Sequence, residues 1–462
     1  MEREEPVIVR PVKPGDEGGP RPIVYAGAGA AVAVIVVVLL IVLIGGDDIV
    51  DPSWLNDEAS GKVVYCSGED VSRSQQRSVE DFNRSSARGT AEARLVTNSP
   101  KADEQRLKYL ELIDSGDCDV VYLDVIYTPE FASRELLYDV TPYLERDDLV
   151  SSFNSQMIST ATYAGKLWGV PKAINAGVVY YRRDKVRGGP PRTWTTLVEA
   201  ARPSGEELPG LRLQLDAYEG LTVTFLELAY AAGADPIVSE DGETANLDQP
   251  GTRKALELLQ NAIAIRAVPG SVTRLTEENS LDLFSLGRAK FLRGWPYGEA
   301  RLNADADAAR LRGSRSAAAR RNTADNVGVE ALPPWVEGGR RVAILGGSNL
   351  VIPRTAKNPE GALHFIDFLT SEQQILRDAA KASLAPVRPD LEDREAVRTS
   401  PALAAVQDET LRLRPPITSY WKVSDAIASR LRRVLNSGQG KETFPEELRE
   451  LQAEVQRELD QQ

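Results

Sequence analysis

Lys62-Val-Val-Tyr65, Ser74-Gln-Gln-Arg-Ser-Val-Glu-Asp-Phe82, Ala93-Arg-Leu-Val96, Asp103 to Asp114 and Val120-Val-Tyr-Leu123 succeed one another in a rhythm that decides the fold. The first, third and fifth are short apolar runs of strand length. The second and fourth space their apolar residues as helices do, with Leu107, Leu110 and Ile113 on one face. Strands alternating with helices of this length imply a largely parallel sheet with crossover helices, an α/β lobe.

The alternation continues downstream. Gly177–Tyr181, Ala289–Leu292 and Val342–Leu345 read as strands. Thr193–Ala201, capped at Thr193, Leu221–Ala232 and Thr252–Arg266 read as helices, the last made amphipathic by Leu256, Leu259 and Ile263. Pro359–Leu369 turns Ala362, Phe365, Ile366 and Leu369 inward, and Pro445–Leu459 closes the chain as a charged amphipathic helix. His364, beside Phe365, reads as a half-buried packing residue, because no cysteine or second histidine is near it in sequence. No internal repeat stands out.

Upstream lies a different kind of segment. Ile23 to Ile44 carries no charge and is long enough to cross about 30 Å of hydrocarbon at about 1.5 Å per residue. A secretory signal peptide is the rival reading, but its apolar region is usually shorter, and here the run ends in Gly45-Gly46-Asp47-Asp48 without an Ala-x-Ala cleavage pattern at that end. No lipoprotein box is present either. Arg3, Arg10, Lys13 and Arg21 precede the span, whereas 45–61 holds no Lys or Arg. Positive charge therefore places residues 1–22 in the cytoplasm, 23–44 in the membrane, and the body outside after an acidic stalk, 45–60.

Composition narrows the functions. The 462 residues are 42% hydrophobic and 27% charged, as in a folded protein of more than one domain. A net charge of −13 argues against nucleic acid. The basic stretch from Arg310 to Arg321 has no interleaved aromatics and reads as a solvated face. Two cysteines and one histidine are too few for most thiolate or imidazole zinc sites, and no cofactor or metal is expected. Cys66 and Cys118 flank two strand-like runs. They form a disulfide if those runs are neighbours, and are otherwise two buried thiols.

Three stretches then stand out together. They are Gly165-Lys-Leu-Trp-Gly-Val-Pro171 with Asn175-Ala-Gly177 and Tyr180-Tyr-Arg182; Trp295-Pro-Tyr297; and Gly328 to Pro333 with Leu345-Gly-Gly-Ser-Asn349 and Asn358 to Ala362. In order and spacing they resemble the extracellular solute-binding proteins of ABC sugar importers, especially the trehalose/maltose-binding branch. Tyr218-Glu-Gly-Leu221 is similar to that branch too. The resemblance runs from about Gly61 to Asp390. It implies two α/β lobes joined by a hinge, lobe 1 being 61–172 with 328–370 and lobe 2 being 173–327 with 371–462. Ligand sits in the cleft between them, and permease subunits of an importer are the partner.

A sugar presents hydroxyls at its ring edge and a slightly apolar C–H face, so its binder needs fixed donors and acceptors plus flat aromatic surfaces. Ligands of open α/β sheets lie beyond the carboxyl ends of strands. Ser67, Glu69 and Asp70 follow the first strand and Asp124 ends a later one; Glu69 and Asp124 are candidate hydroxyl acceptors. Tyr127, Tyr180, Trp295 and Tyr297 are candidate stacking or hydrogen-bonding surfaces, joined by Asn175, Tyr218 and Glu219. Gly346 and Gly347 allow close backbone approach, and Arg388 is a candidate donor. The plainer alternatives are that the strand-end acids cap helices and that Tyr180 and Trp295 are core.

Two departures from the sugar-binding pattern weigh on the ligand. Ser348 stands where an aromatic usually follows the Gly-Gly pair, and Asn175 where Asp is frequent. Ala304 to Thr323 reads as an insertion. The expected function is capture of a di- or oligosaccharide for import by cleft closure. The alternative is a ligand-sensing ectodomain working with a membrane regulatory partner. Glycosidase chemistry on Glu69 and Asp124 is disfavoured, since strand-end acids already serve sugar binding and no nucleophile motif is present.

Overall fold

The computed structural model describes residues 61–68, 72–85, 89–95, 101–145, 149–186, 188–205, 208–270, 275–311, 326–438 and 440–461. The cytoplasmic tail, the membrane span 23–44 and the stalk expected from the sequence lie outside these residues. Among the described residues no helix is long and apolar enough to cross a membrane.

Two sheets organise the body. The first contains β1 (Gly61–Ser67), β2 (Gly89–Leu95) and β3 (Val120–Asp124), with β6 (Val170–Asn175) and β12 (Gly346–Val351), in the order β2-β1-β3-β12-β6. The opening rhythm is a true crossover pattern: β1 pairs in parallel with both β2 and β3, and the helices Ser74–Ser85 and Ala102–Asp114 make the connections. β12 runs antiparallel to both β3 and β6, so the sheet is mixed rather than largely parallel. Phe82, from the first crossover helix, packs edge-on against Phe365 at 4.9 Å and His364 at 5.6 Å on the helix Pro359–Thr370. His364 is thus in a packing role.

Cys66 and Cys118 are joined in a disulfide, their Cα atoms 5.8 Å apart. Tyr65 and Cys66 pair with Val120 and Val121, which brings the turn entering β3 alongside β1. The neighbouring-strand condition set by the sequence is met.

The second sheet has the order β10-β7-β9-β8, from β7 (Val178–Arg182), β8 (Leu211–Arg212), β9 (Phe291–Gly294) and β10 (Val327–Ala331). The chain passes from the first sheet to the second between Asn175 and Val178. It returns between Ala331 and Gly346, because Val327–Ala331 still pairs with β7. The strand that begins at the 327/328 bound drawn from the resemblance thus pairs within the second sheet. Two small ladders complete the strands: the hairpin β4 (Thr162–Tyr163) and β5 (Lys166–Leu167), and the parallel pair β11 (Val342–Ile344) and β13 (Thr410–Arg412).

The helix Glu219–Ala231 is buried almost all round, its apolar residues in the core and its polar side chains Glu219, Thr222, Thr224 and Glu227 all hydrogen-bonded. The helices Pro250–Ala264, Tyr420–Ser437 and Phe444–Leu459 bury an apolar stripe each and turn charge outward. Tyr297–Leu311 is helical, so the insertion expected from Ala304 begins as a helix extension.

Two glycines are required by close approach. A Cβ on Gly347, whose φ is +135°, would lie 2.1 Å from the Ala173 carbonyl, so only glycine lets β12 cross β6 there. A Cβ on Gly177, in the short link from β6 to β7, would lie 2.4 Å from the buried Glu227 carboxylate.

Candidate functional site

The ends of these elements enclose a cleft of about 1060 Å³, counting its open mouth. The first sheet contributes Tyr122 and Asp124 of β3, Asn175 of β6, and Gly346 to Ser348 of β12. The second half contributes Tyr218 and Glu219 where one helix begins, Glu277 and Glu278 where another begins, and Trp295 and Tyr297 after β9. Arg414, on the connector beyond β13, lies at the floor.

Trp295 is the aromatic wall, and it is braced on several sides. The Arg293 guanidinium lies 4.0 Å from its ring centroid. Arg293 is in turn held by Glu227 through bonds of 2.9 and 2.5 Å, with both side chains fully buried. The Trp295 indole also acts on the Glu277 carboxyl, helping to hold its pKa down. Beneath it, the Tyr180 hydroxyl donates to the Trp295 carbonyl at 2.7 Å. A planar surface held this way loses little freedom when a ligand stacks on it.

The polar groups are arranged in pairs. The hydroxyl of Tyr218 donates to Glu277, and that of Tyr297 to Glu278 at 3.3 Å. Burial pushes the Glu277 carboxyl up, opposed by the Tyr218 hydrogen bond and the Arg293 charge. Burial also raises the Tyr218 and Tyr297 phenols, so both remain neutral donors. Arg414 donates to Glu219 at 2.8 Å and to Asp124 at 3.2 Å. Glu219 further accepts from Tyr420 at 2.8 Å and from Ser424. Its carboxyl is pushed up to about 7 by burial, against the pull of Arg414 and with a further push from Asp103. Asn175 presents a buried Oδ1 with no protein donor. A buried acceptor left open costs free energy unless a ligand or water fills it.

Of the residues singled out from sequence, Asp124, Asn175, Tyr218, Glu219, Trp295, Tyr297, Gly346 and Gly347 come together here. Four others do not line the cleft. Ser67 is buried at the end of β1. Tyr127 is buried with its hydroxyl on Asp103 at 3.1 Å. Tyr180 is fully buried and supports the Trp295 turn from behind, so its core reading holds. Arg388 is paired with Asp390 through bonds of 3.1 and 2.7 Å. Glu69 and Asp70 lie outside the described residues. Asp124 does both of the jobs weighed for a strand-end acid, since it faces the cleft and also accepts from the Ile126 N–H as a helix cap.

Sequence reasoning missed Glu277, Glu278 and Arg414. Thr276-Glu-Glu278 has the look of a helix start, and Thr276 does cap the helix Glu277–Ser285. Nothing local showed that this start faces a cleft. Arg414 sits in a Pro-rich connector whose path only the fold supplies.

Comparison with known proteins gives a consistent result. A family model described as bacterial extracellular solute-binding protein matches residues 94–405. A probable ABC transporter-binding protein of Deinococcus radiodurans is 30% identical over 369 residues, 76% of this chain and 83% of that protein. A maltooligosaccharide ABC transporter solute-binding lipoprotein of Streptococcus pneumoniae is 25% identical over 231 residues, 46% of this chain and 48% of that one. Among solved structures, the maltose-bound MalE3 of T. maritima superimposes with a TM-score of 0.73 at 28% identity, covering 87% of this chain and 99% of its own. A solute-binding protein of Thermotoga lettingae bound with α-D-tagatose gives 0.72 at 20% identity, covering 87% and 100%, and shares the fold.

Proposed function

The chain belongs to the bacterial extracellular solute-binding proteins, and from that premise we propose that it captures a carbohydrate and delivers it to an ABC importer. In this reading the first lobe is built on the five-stranded sheet and the second on the four-stranded sheet. Ligand contacts made by both favour the closed state and so shift an open–closed equilibrium. The N-terminal span 23–44 tethers the body outside the membrane, and the acidic stalk sets its reach. No chemical step is assigned: the role is capture and release.

The observation that carries the reading is the braced Trp295 lining one cleft together with a set of carboxylates. A flat apolar surface sharing a cleft with acceptors matches the C–H face and hydroxyl edge of a sugar ring. The maltose and maltooligosaccharide named for relatives agree with it. Ser348 in place of an aromatic removes one stacking surface, so the ring over Trp295 carries more of the affinity. Isothermal calorimetry of the protein against a glycan panel tests the proposal. Saturable binding of a mono- or oligosaccharide is expected, and no saturable binding to any sugar would sink it.

A further inference from the structure

We propose that Lys101 is a positioning residue: with Asp216 and Arg432 it forms a clasp that draws the two halves together on the side of the cleft remote from the chain crossings, and so sets affinity without touching the ligand. This rests on the two-lobe reading above and adds to it a force for closure that the ligand does not supply.

The place of the clasp follows from the order of the strands. In the first sheet the chain leaves from β6, and β2 is the opposite edge. In the second, β7 and β10 adjoin the crossings, and β8 is the opposite edge. Lys101 is the N-cap position of the helix Ala102–Asp114, which follows β2, and Asp216 lies just past β8. Lys101 Nζ and Asp216 Oδ2 are 3.0 Å apart, with side chains 27% and 20% exposed. Arg432, on the helix Tyr420–Ser437, also reaches Asp216, at 3.1 Å, and donates to the Leu215 carbonyl at 3.3 Å. The second half thus holds the carboxylate in place for Lys101. Burial pushes the Asp216 carboxyl up, but the bonds from Lys101, the Ala217 N–H and Arg432 outweigh it and hold the group below the usual carboxylate range.

The same stretch of the first half makes further contacts with the second. Lys101 Nζ stands 5.7 Å from the ring centroid of Tyr218, which lines the cleft. Asp103 accepts from the Glu219 N–H at 3.3 Å, at the start of a helix whose own N-cap, Tyr218, makes no side-chain bond, so the cap comes from the other half. Arg106, gripped by Glu130, lies 4.3 Å from the ring centroid of Trp421 on the helix Tyr420–Ser437. Contacts beside the crossings survive an opening about them, whereas a contact between the remote edges is broken by it. A half-buried ion pair is worth more than a fully exposed one and is still weakened by salt. The clasp therefore shifts the open–closed equilibrium toward closure. A ligand that needs the closed form then binds more tightly in proportion to the population of that form, whatever its chemistry.

The test reads this equilibrium directly, with no sugar present. Both native cysteines are in the disulfide, so Glu104→Cys and Arg433→Cys, exposed positions on the two halves near the clasp, take spin labels selectively. Double electron–electron resonance of the full chain in detergent, at neutral pH and low salt, gives the separation of the labels. Lys101→Met should raise the ratio of longer to shorter separations about threefold or more, and Lys101→Arg should keep the original ratio. Asp216→Asn should shift the ratio the same way, and Lys101→Met/Asp216→Asn should shift it no further than Asp216→Asn alone. High salt should move the unsubstituted pair in the same direction. Unchanged separations in Lys101→Met, or shifts that add in the double variant, overturn the clasp. So does a Lys101→Met chain that melts earlier yet keeps the short separation, since its loss is local stability alone. A failed glycan titration leaves this result standing, and a failed clasp leaves the carbohydrate reading untouched.

Discussion

Arg414 reaches Asp124 across 3.2 Å at the floor of the cleft, joining the connector beyond β13 to the end of β3. Its other terminal nitrogen is on Glu219, at the start of a helix packed with the second sheet. One guanidinium thus spans the place where the two halves meet, between two carboxylates on different elements.

Removing this cation should be costly. Arg414 and Glu219 have side chains 4% and 6% exposed, so Arg414→Ala leaves a buried carboxylate without its partner. A loss of about 3–5 kcal/mol is expected in urea unfolding. Asp124→Asn should cost less, because the Asp124 side chain is 33% exposed and water screens the pair. Equal costs for the two variants would contradict this assignment.

Glu219 should impose a pH dependence on stability. Its folded pKa is raised, to about 7 from an ordinary 4.5, so between those values the folded state holds a proton that the unfolded state has released. Stability from this group is fully present below about 4.5 and lost as pH rises to about 7. Denaturation midpoints at several pH values should fall across that window, and Glu219→Gln should flatten the slope. Asp103, Glu227 and Glu277 are raised by burial too and act in the same direction.

Trp295→Ala should abolish most sugar affinity, by roughly 1–3 kcal/mol or about 5- to 150-fold, as loss of a stacking surface does elsewhere. Trp295→Phe should retain part of it, because a smaller aromatic ring remains in place of the indole. Tryptophan fluorescence during titration reads both. A Trp295→Ala protein that bound sugar normally would remove the aromatic wall from the site.

Opening the Cys66–Cys118 bond frees a loop of 52 residues in the unfolded chain. The chain-entropy argument puts the stabilisation at about 4 kcal/mol. Calorimetric scans with and without reductant, or of the Cys66→Ser/Cys118→Ser pair, should show a Tm lower by several degrees. An unchanged Tm would mean that the bond spans a segment already ordered in the unfolded state.

The α/β body was legible because strand and helix periods alternate cleanly from Lys62 to Leu123. The antiparallel β12 was not, since nothing in Gly346 to Val351 says which strands it lies between; that is set by the path of the chain through the second sheet. The site divided along the same line. Asp124, Trp295 and Gly347 stand at strand ends or turns that the pattern itself marks. Tyr180 alternates in β7 like any strand residue, and the two faces of that strand are told apart only by what packs on them. Its hydroxyl is turned under Trp295 instead of into the open space. Glu277, Glu278 and Arg414 come from a helix start and a connector brought near by tertiary packing alone.

The position of β12 between β3 and β6 sets an order on assembly. A nascent chain emerging from its N-terminus presents β1, β2 and β3 early, but β3 and β6 remain raw edges until Gly346–Val351 has followed. The second sheet is synthesised in that interval. A chain crossing a membrane in an extended state would therefore carry two unfinished edges for most of its passage, open to pairing with other chains. Any helper that guards this protein in transit has those two edges to cover, and its work ends when residue 351 arrives.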